Sequence, residues 1–193
     1  FFFCVQALVG SIMEVIHGVF ANLHQESFAE GLTGAAPTST RRSKAIEELL
    51  DMFPKIINQQ LTVYPHSMAR NAAMKELACR VMASYVSFAA LLRPISESGR
   101  LRCAADISAI EELLAPYAKL SNDNPAYNEF RSFRRLLFRH EGSEGTVGHN
   151  VREETKNILA LDYLSAFRPS TLLHHLLASA PPQLPSPHIK TGT

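Results

Sequence analysis

Arginines beside an aspartate are the residues of this chain whose types and spacing could do chemistry. Between residues 93 and 106 they surround a single glycine, in the order Arg93, Gly99, Arg100, Arg102 and Asp106. Three guanidinium groups near the start of a helix could bind an anion, because the N–H groups of a helix N-terminus attract negative charge. A single glycine is not a glycine-rich phosphate loop, so a structural role is favoured over an anion site.

The structural role is a corner between two helices whose charged residues tie it to a neighbouring element. Arg102 and Asp106 are four residues apart, so they lie on the same face of a helix. Ala104 and Ala105 between them are small enough to let another backbone approach closely. The predicted joint consists of Arg93, Pro94, Gly99, Arg102, Ala105 and Asp106.

A second cluster comprises Arg131, Arg134, Arg135 and Arg139. At about 100° per residue these arginines cover one side of a helix. The opposite, apolar side comprises Phe130, Phe133, Leu136 and Leu137. Tyr127 and Phe138 project among the arginines, and exposed aromatic residues beside arginines are typical of protein interfaces. We therefore predict a partner surface formed by Tyr127, Arg131, Arg135 and Phe138.

Three other interpretations of these arginines stay open. The first is an ordinary solvated helix face, with Glu129 and Glu141 nearby. The second is a helical domain that binds anionic lipid or RNA through the Arg131–Arg139 face, although four arginines on a near-neutral chain are thin support. In the third, which is as well supported as the interface, a segment of the same chain such as residues 180–193 covers the two rings.

Other residues that could serve an enzyme or a metal site lack the required spacing. His174 and His175 are adjacent and point about 100° apart on a helix, whereas a zinc-binding helix places two histidines four apart with a glutamate between them. Cys79 and Cys103 lie in apolar stripes, where thiols are inert core residues. We expect no catalytic residue, no cofactor and no metal ion.

Composition indicates a globular protein in a reducing compartment. The chain has 193 residues, of which 46% are hydrophobic and 19% charged, and its formal net charge is +1. A net charge this small gives no overall attraction to nucleic acid or to an anionic membrane. Its three cysteines are widely spaced and form no CxxC pair, which favours the cytosol. Because the chain opens on Phe1 without a preceding basic stretch, we interpret it as a fragment of a longer protein.

The first 23 residues could be a membrane span or a buried helix of a bundle. They contain a single charged residue, Glu14, near the middle, and no lysine or arginine flanks them before Arg41. A carboxylate at the centre of a membrane span costs roughly 2.5–3.5 kcal/mol. The buried helix is therefore the favoured interpretation.

Apolar residues recur at three- and four-residue steps, which predicts an all-α chain. The stripe of the first helix includes Ile12, Val15 and Val19, and the seam of the fourth comprises Cys103, Ile107, Ile110 and Leu114. Helices are expected near residues 1–23, 43–53, 67–92, 99–114, 125–140, 153–164 and 169–177. Pro54 is expected to kink or end the second helix, because proline lacks an N–H and clashes with the preceding turn. We treat residues 1–193 as one helical region, with loops near 29–42 and 141–150 and an extended Pro-rich tail at 180–193.

Three blocks of sequence carry a resemblance to a known family. They are LLRPISESGRLRCAADISAIEELLAPY (91–117), RSFRRLLF (131–138) and LLHHLLASAPPQLPSPH (172–188). In this order they resemble the C-terminal region of the fifth subunits of the conserved oligomeric Golgi complex. Arg135 stands where that family has a proline, and residues 1–90 match only in their helical character.

The resemblance implies an antiparallel bundle that is part of an elongated helical rod. It also implies a non-catalytic role in retrograde vesicle tethering at the cytosolic face of the Golgi, as a peripheral subunit of a multisubunit complex. The implied partners are other subunits of that complex, most of all the seventh. No nucleic acid and no small-molecule substrate are implied.

Overall fold

The computed structural model describes residues 2–29, 42–61, 68–93, 95–138 and 163–179. These residues form helices α1 (Phe2–Ala21), α2 (Lys44–Gln60), α3 (Met68–Ala89), α4 (Glu97–Leu114), α5 (Pro125–Leu137) and α6 (Pro169–Ser179). Short 3₁₀ turns cover Asn22–Gln25 and Leu164–Ala166. No strand occurs within the described ranges, and the predicted all-α helical bundle is confirmed.

Helix α3 lies at the centre of the bundle, where it packs against α1 on one side and α5 on the other. Tyr85 of α3 is fully buried, and its ring meets Phe20 of α1 and Phe130 of α5 edge to face, each at 5.9 Å between centroids. Helix α2 packs against α1 and α4, and α4 packs against α5. Aromatic burial of this kind joins the central three helices, because each ring removes a large apolar area from water.

The stretch Val5–Gln25, which contains most of α1, is long and apolar enough to cross a membrane by length and composition, and 33% of it is buried. Its buried residues face α2 and α3, and Val9, Ile16 and Phe20 are fully buried. Val15 was expected within the apolar stripe but is 49% exposed. The buried face is therefore rotated away from Val15, because the contacts with α2 and α3 select one side of a helix that is apolar almost all round.

Helix α2 continues through Pro54 to Gln60, so of the two expected effects of the proline, a kink or an end, the end is wrong. Phe53 before the proline and Ile57 after it are both 1% exposed. Burial of such side chains contributes about 1.5–3 kcal/mol each. This gain on both sides offsets the loss of one backbone hydrogen bond at Pro54.

Helix α4 begins at Glu97, two residues before the predicted start, and the Ser96 hydroxyl caps it by accepting a hydrogen bond from the Gly99 N–H at 3.2 Å. Its predicted seam is buried throughout, and comprises Cys103, Ile107, Ile110 and Leu114. Helix α5 ends at Leu137 rather than at His140. Two predicted segments lie wholly outside the described residues, namely the connector 141–150 and the tail 180–193. Two others lie outside them except at their ends, namely the loop near 29–42 and the helix 153–164.

Candidate helix joint and candidate partner surface

Gly99 lies where α4 passes directly over the backbone of Phe28. The N–H and the hydroxyl of Ser96 donate hydrogen bonds to the Phe28 carbonyl at 2.8 and 3.0 Å. A Cβ atom at position 99 would stand 2.2 Å from that carbonyl oxygen and 3.0 Å from Cγ1 of Ile95. No side chain fits there unless the backbone moves, so glycine is required for the close approach.

Arg102 joins α4 to the segment that follows the first 3₁₀ turn. Its guanidinium donates to the Ser27 carbonyl at 3.1 Å and stands 3.8 Å from the Glu26 carboxylate. It also lies over the Phe28 ring, 5.3 Å from the centroid. The neighbour to which the corner is tied is therefore residues 26–28.

Asp106 and Glu26 together cap the N-terminus of α2. The buried Asp106 carboxylate accepts a hydrogen bond from the Ser43 N–H at 2.9 Å, and Glu26 accepts from the N–H groups of Lys44 and Ala45 at 3.0 and 2.9 Å. These N–H groups have no partner within their own helix. The Tyr85 hydroxyl also donates to Asp106, at 3.4 Å. Two carboxylates from other parts of the chain thus satisfy the start of α2.

The other predicted joint residues are placed differently. Arg93 is exposed, Ala105 is half-buried, and Pro94 lies outside the described residues. Ala104 is buried at 6% exposure, so it is the alanine of this pair that lies inside the bundle. Sequence reasoning missed Glu26 and Ser43, because their partners on α4 are 76 and 63 residues away and no local signal connects them.

Burial changes the acid–base behaviour of this cluster. It raises the pKa of Asp106 to about 6; the Glu26 charge adds to this, while the Ser43 N–H and Arg102 oppose it. Burial likewise raises the pKa of the Tyr85 phenol and of the Cys103 thiol above their ordinary values. Cys103 therefore stays a protonated core thiol at neutral pH, as expected of an inert cysteine.

The raised pKa of Asp106 predicts a pH dependence of stability. The folded state binds a proton at Asp106 up to about pH 6, whereas the unfolded state releases it near pH 4, so stability falls as pH rises through this interval. Urea unfolding at pH 4 to 7 should show the native chain gaining about 2–3 kcal/mol at pH 4 relative to Asp106→Asn. Titrating groups far from Asp106 cancel in that difference. Parallel pH profiles of the two proteins would contradict the assignment.

Helix α5 has the predicted two sides. Its four predicted apolar residues are at most 2% exposed, and Arg131, Arg134 and Arg135 are exposed. Arg139 lies outside the described residues. Tyr127 and Phe138, predicted to project away from the core, are half-buried and pack against its edge. Phe138 follows the last helical residue, so helical spacing does not set the direction of its ring.

A groove of about 580 Å³ runs between α4 and α5 along these arginines. The Arg131 guanidinium donates to Asn122 at 3.1 Å and lies 5.7 Å from the centroid of the Tyr127 ring. Arg134 donates to the Ser108 hydroxyl of α4 at 3.1 Å. The guanidinium groups are thus held by residues outside the arginine cluster.

The groove has two further features that sequence reasoning missed. Arg135 stacks on the ring of Tyr163, 4.4 Å from its centroid, although the two residues are far apart in the chain. Glu111 of α4 lines the groove beside Tyr127, where burial and then the Glu111 charge raise the pKa of the phenol. These contacts arise because α4 and the segment around Tyr163, just before the second 3₁₀ turn, pack against α5.

Glu129 was expected near a solvated face, but it is 3% exposed and fastens α6 to the bundle. Its carboxylate accepts hydrogen bonds from the Arg168 N–H at 3.1 Å, from Arg168 Nε at 2.7 Å and from the Thr171 hydroxyl at 2.7 Å. Arg168 also donates to the Ala83 carbonyl and the Ser87 hydroxyl of α3, at 2.9 and 3.1 Å. These three hydrogen bonds give the carboxylate a structural role, which is to hold α6 and Arg168 against α5.

Of the two adjacent histidines, His175 is buried and His174 is half-buried. His175 is 7% exposed and meets the Phe133 ring edge to face at 6.0 Å. Among the described residues, no group of three His, Cys, Asp or Glu side chains is arranged to hold a metal ion.

The described residues thus define an all-α bundle whose buried polar groups make contacts between its helices. The chain is similar to subunit 5 of the conserved oligomeric Golgi complex from Mus musculus, with 25% identity over 184 residues, or 95% of this chain and 21% of that protein. It is 32% identical over 117 residues to the same subunit from Arabidopsis thaliana, over 58% of this chain and 12% of that protein. The resemblance indicated by the three sequence blocks is confirmed.

The chain spans about a fifth of the length of the mouse relative, at 21%, and less of the plant relative. No protein-family model matches the chain, and no solved structure matches it.

Proposed function

We propose that this chain is a non-catalytic helical part of a subunit of the conserved oligomeric Golgi complex. The observation that carries the proposal is the similarity to subunit 5 over 95% of the chain. In this role the chain acts through protein–protein contacts in vesicle tethering, at the cytosolic face of Golgi membranes, during retrograde transport within the Golgi. The bundle is part of an elongated rod, and the preferred partner is the seventh subunit.

The contacts of the polar clusters support a non-catalytic role. Glu129 has three donors within hydrogen-bond distance, and Asp106 accepts from the Ser43 N–H. Arg102 is engaged by residues 26–28. Groups held in this way stabilise the packing of helices, whereas an acid or base in catalysis must reach a substrate. The exposed arginines of α5 are therefore the better candidates for function.

We place part of the partner surface at Tyr127, Arg131, Arg135 and Phe138. Both rings are half-buried, and each arginine is exposed. A partner that covered the rings would complete their burial and desolvate the neighbouring guanidinium groups, as occurs at interface hot spots. Burial of the apolar area of the two rings that is still in contact with water supplies the driving force for partner binding.

Co-purification of the full-length subunit with the other subunits of the Golgi complex tests this proposal. Phe138→Ala combined with Arg135→Glu should weaken partner binding at least about 30-fold, since a hot-spot truncation removes about 2 kcal/mol or more. The melting temperature should fall only slightly, because Phe138 lies at the edge of the core and Arg135 loses its contact with Tyr163. Lys75→Glu, at an exposed position of α3, is the matched control and should bind normally.

Two outcomes would contradict the proposal. If the full-length wild-type subunit co-purifies with no other Golgi subunit, the assignment to the complex is wrong. If the double variant melts much earlier but still binds its partners, the two rings belong to the fold of this chain and the partner surface lies elsewhere. Crosslinking of the wild-type complex would then locate it.

A further inference from the structure

The groove between α4 and α5 has the charge and shape of a binding site. We infer that it binds an acidic, extended segment of a partner protein, whose carboxylates contact the guanidinium groups of Arg131, Arg134 and Arg135. The inference rests on the proposed function, because it names the chemistry of a partner at the same surface.

Each of the three guanidinium groups already makes a contact within this chain. Asn122 holds Arg131, Ser108 holds Arg134, and the Tyr163 ring supports Arg135. A guanidinium has five N–H donors, so one such contact leaves others for a two-point hydrogen bond with a carboxylate. Side chains that are already held by such contacts lose less entropy on binding, which favours affinity.

The spacing of the arginines matches an extended peptide. Arg131 and Arg135 are four residues apart on α5, which separates them by about 6 Å along the helix axis. Alternate side chains of an extended chain lie on the same side, about 6.5–7 Å apart. Acidic residues at alternate positions can therefore contact both arginines, and Arg134 is available to a third carboxylate or to the terminal charge of the segment.

The shape and the acidic wall of the groove favour a peptide over other anions. A volume of about 580 Å³ accommodates several side chains, more than a single phosphate group fills. Glu111 in the wall accepts hydrogen bonds, so it suits a ligand that brings donors as well as acceptors. The N–H donors of a peptide backbone can face Glu111 while the carboxylates of the peptide contact the arginines, whereas the phosphate groups of a nucleic acid offer only acceptors. A concave groove also fits a flat bilayer poorly.

Fluorescence anisotropy with the full-length subunit tests the inference. The probe is a labelled peptide of alternating glutamate and serine, and the comparison peptide has glutamine in place of each glutamate. The glutamate peptide should bind, and the glutamine peptide should bind at least about 10-fold more weakly, because its charge-assisted contacts are lost. Arg131→Glu with Arg135→Glu should reduce binding of the glutamate peptide by at least a similar factor.

Control proteins separate local charge from general attraction and from misfolding. Lys75→Glu should leave the affinity for the peptide unchanged, since Lys75 is an exposed residue of α3 outside the groove. The milder pair Arg131→Gln with Arg135→Gln should also weaken binding, and each variant should melt like the wild type. Equal binding of the peptide by wild type and both arginine variants would overturn the inference.

The other ligands give distinct outcomes. Binding to vesicles containing phosphatidylserine, or to inorganic phosphate, with no binding of the glutamate peptide would overturn the peptide inference in favour of a lipid headgroup or a phosphate site. If Golgi subunits co-purify equally with the wild type and with the Arg131→Glu, Arg135→Glu variant, the groove inference and the placement of the partner surface both fail, while the assignment to the Golgi complex stands. If the peptide binds but no Golgi subunit co-purifies, the proposed function fails and the groove remains an acidic-segment site.

Discussion

Replacing Glu129 with alanine is expected to lower the free energy of unfolding by about 3 kcal/mol, since it removes three hydrogen bonds to a buried charged group. The Glu129 side chain is 4% exposed and the Arg168 side chain is 45% exposed. Arg168 can therefore regain water after the substitution, which keeps the loss below that of a fully buried pair. Thr171 is 1% exposed, so its hydroxyl cannot form a hydrogen bond with water after the substitution and adds to the loss of stability.

Urea unfolding of Glu129→Ala, Arg168→Ala, their double variant and a control checks this expectation. Glu112→Ala, at an exposed glutamate of α4, is the matched control and should change stability by less than about 0.5 kcal/mol. Arg168→Ala should be destabilising alone, and the double variant should lose less stability than the sum of the two single changes, because the contact between Arg168 Nε and the Glu129 carboxylate is lost only once. The bonds of Arg168 to Ala83 and Ser87 are lost in addition to the effect of Glu129→Ala. If Glu129→Ala is no less stable than Glu112→Ala, the role assigned to the carboxylate is wrong.

Gly99→Ala is expected to lower the free energy of unfolding by about 2–3 kcal/mol, because the new methyl group overpacks a site that has no space for it. The added Cβ would meet the Phe28 carbonyl oxygen at 2.2 Å, and this atom belongs to the backbone and cannot rotate away. The same carbonyl accepts both hydrogen bonds from Ser96, so moving it also weakens the cap of α4. The intrinsic preference of a helix for alanine, about 0.5–1 kcal/mol, is smaller than this loss.

Gly18→Ala is the control that measures only the preference of a helix for alanine over glycine. Gly18 lies within α1, and a Cβ atom added there meets nothing within 4 Å. That substitution should stabilise the protein by about 0.5–1 kcal/mol, because alanine restricts the unfolded chain and favours the helix. The two glycine variants should therefore shift the midpoint of chemical unfolding in opposite directions. A Gly99→Ala protein as stable as the Gly18→Ala protein would refute the close approach.

Helical periodicity predicted the apolar residues on the buried faces of α4 and α5. Cys103, Ile107, Ile110 and Leu114 follow one stripe along α4, and each is buried. The prediction held because a stripe that is apolar on one side leaves a helix only one face to bury. It was less successful for α1, where Val15 is exposed, since a helix that is apolar almost all round does not specify which face its neighbours cover.

Predictions for single residues were weaker where two effects compete. Pro54 disfavours a helix locally, yet α2 continues past it because the burial of Phe53 and Ile57 outweighs one lost hydrogen bond. Phe138 was placed by helical spacing, but α5 ends one residue before it. For Pro54 the packing against other helices outweighs the local rule, and for Phe138 helical spacing does not apply beyond the end of the helix.

The class of this protein and its family resemblance follow from the order of residues in the chain. Apolar spacing is a consequence of helix geometry within some twenty residues, so it can be read without knowing how the helices pack. The partners of the polar residues could not be read in this way. Glu129 meets Arg168 across 39 residues, and Asp106 meets Ser43 across 63. Such pairs form only when helices distant in the chain pack together. That packing places Asp106 at the start of α2, joins Glu129 to Arg168 and forms the groove along the arginines of α5.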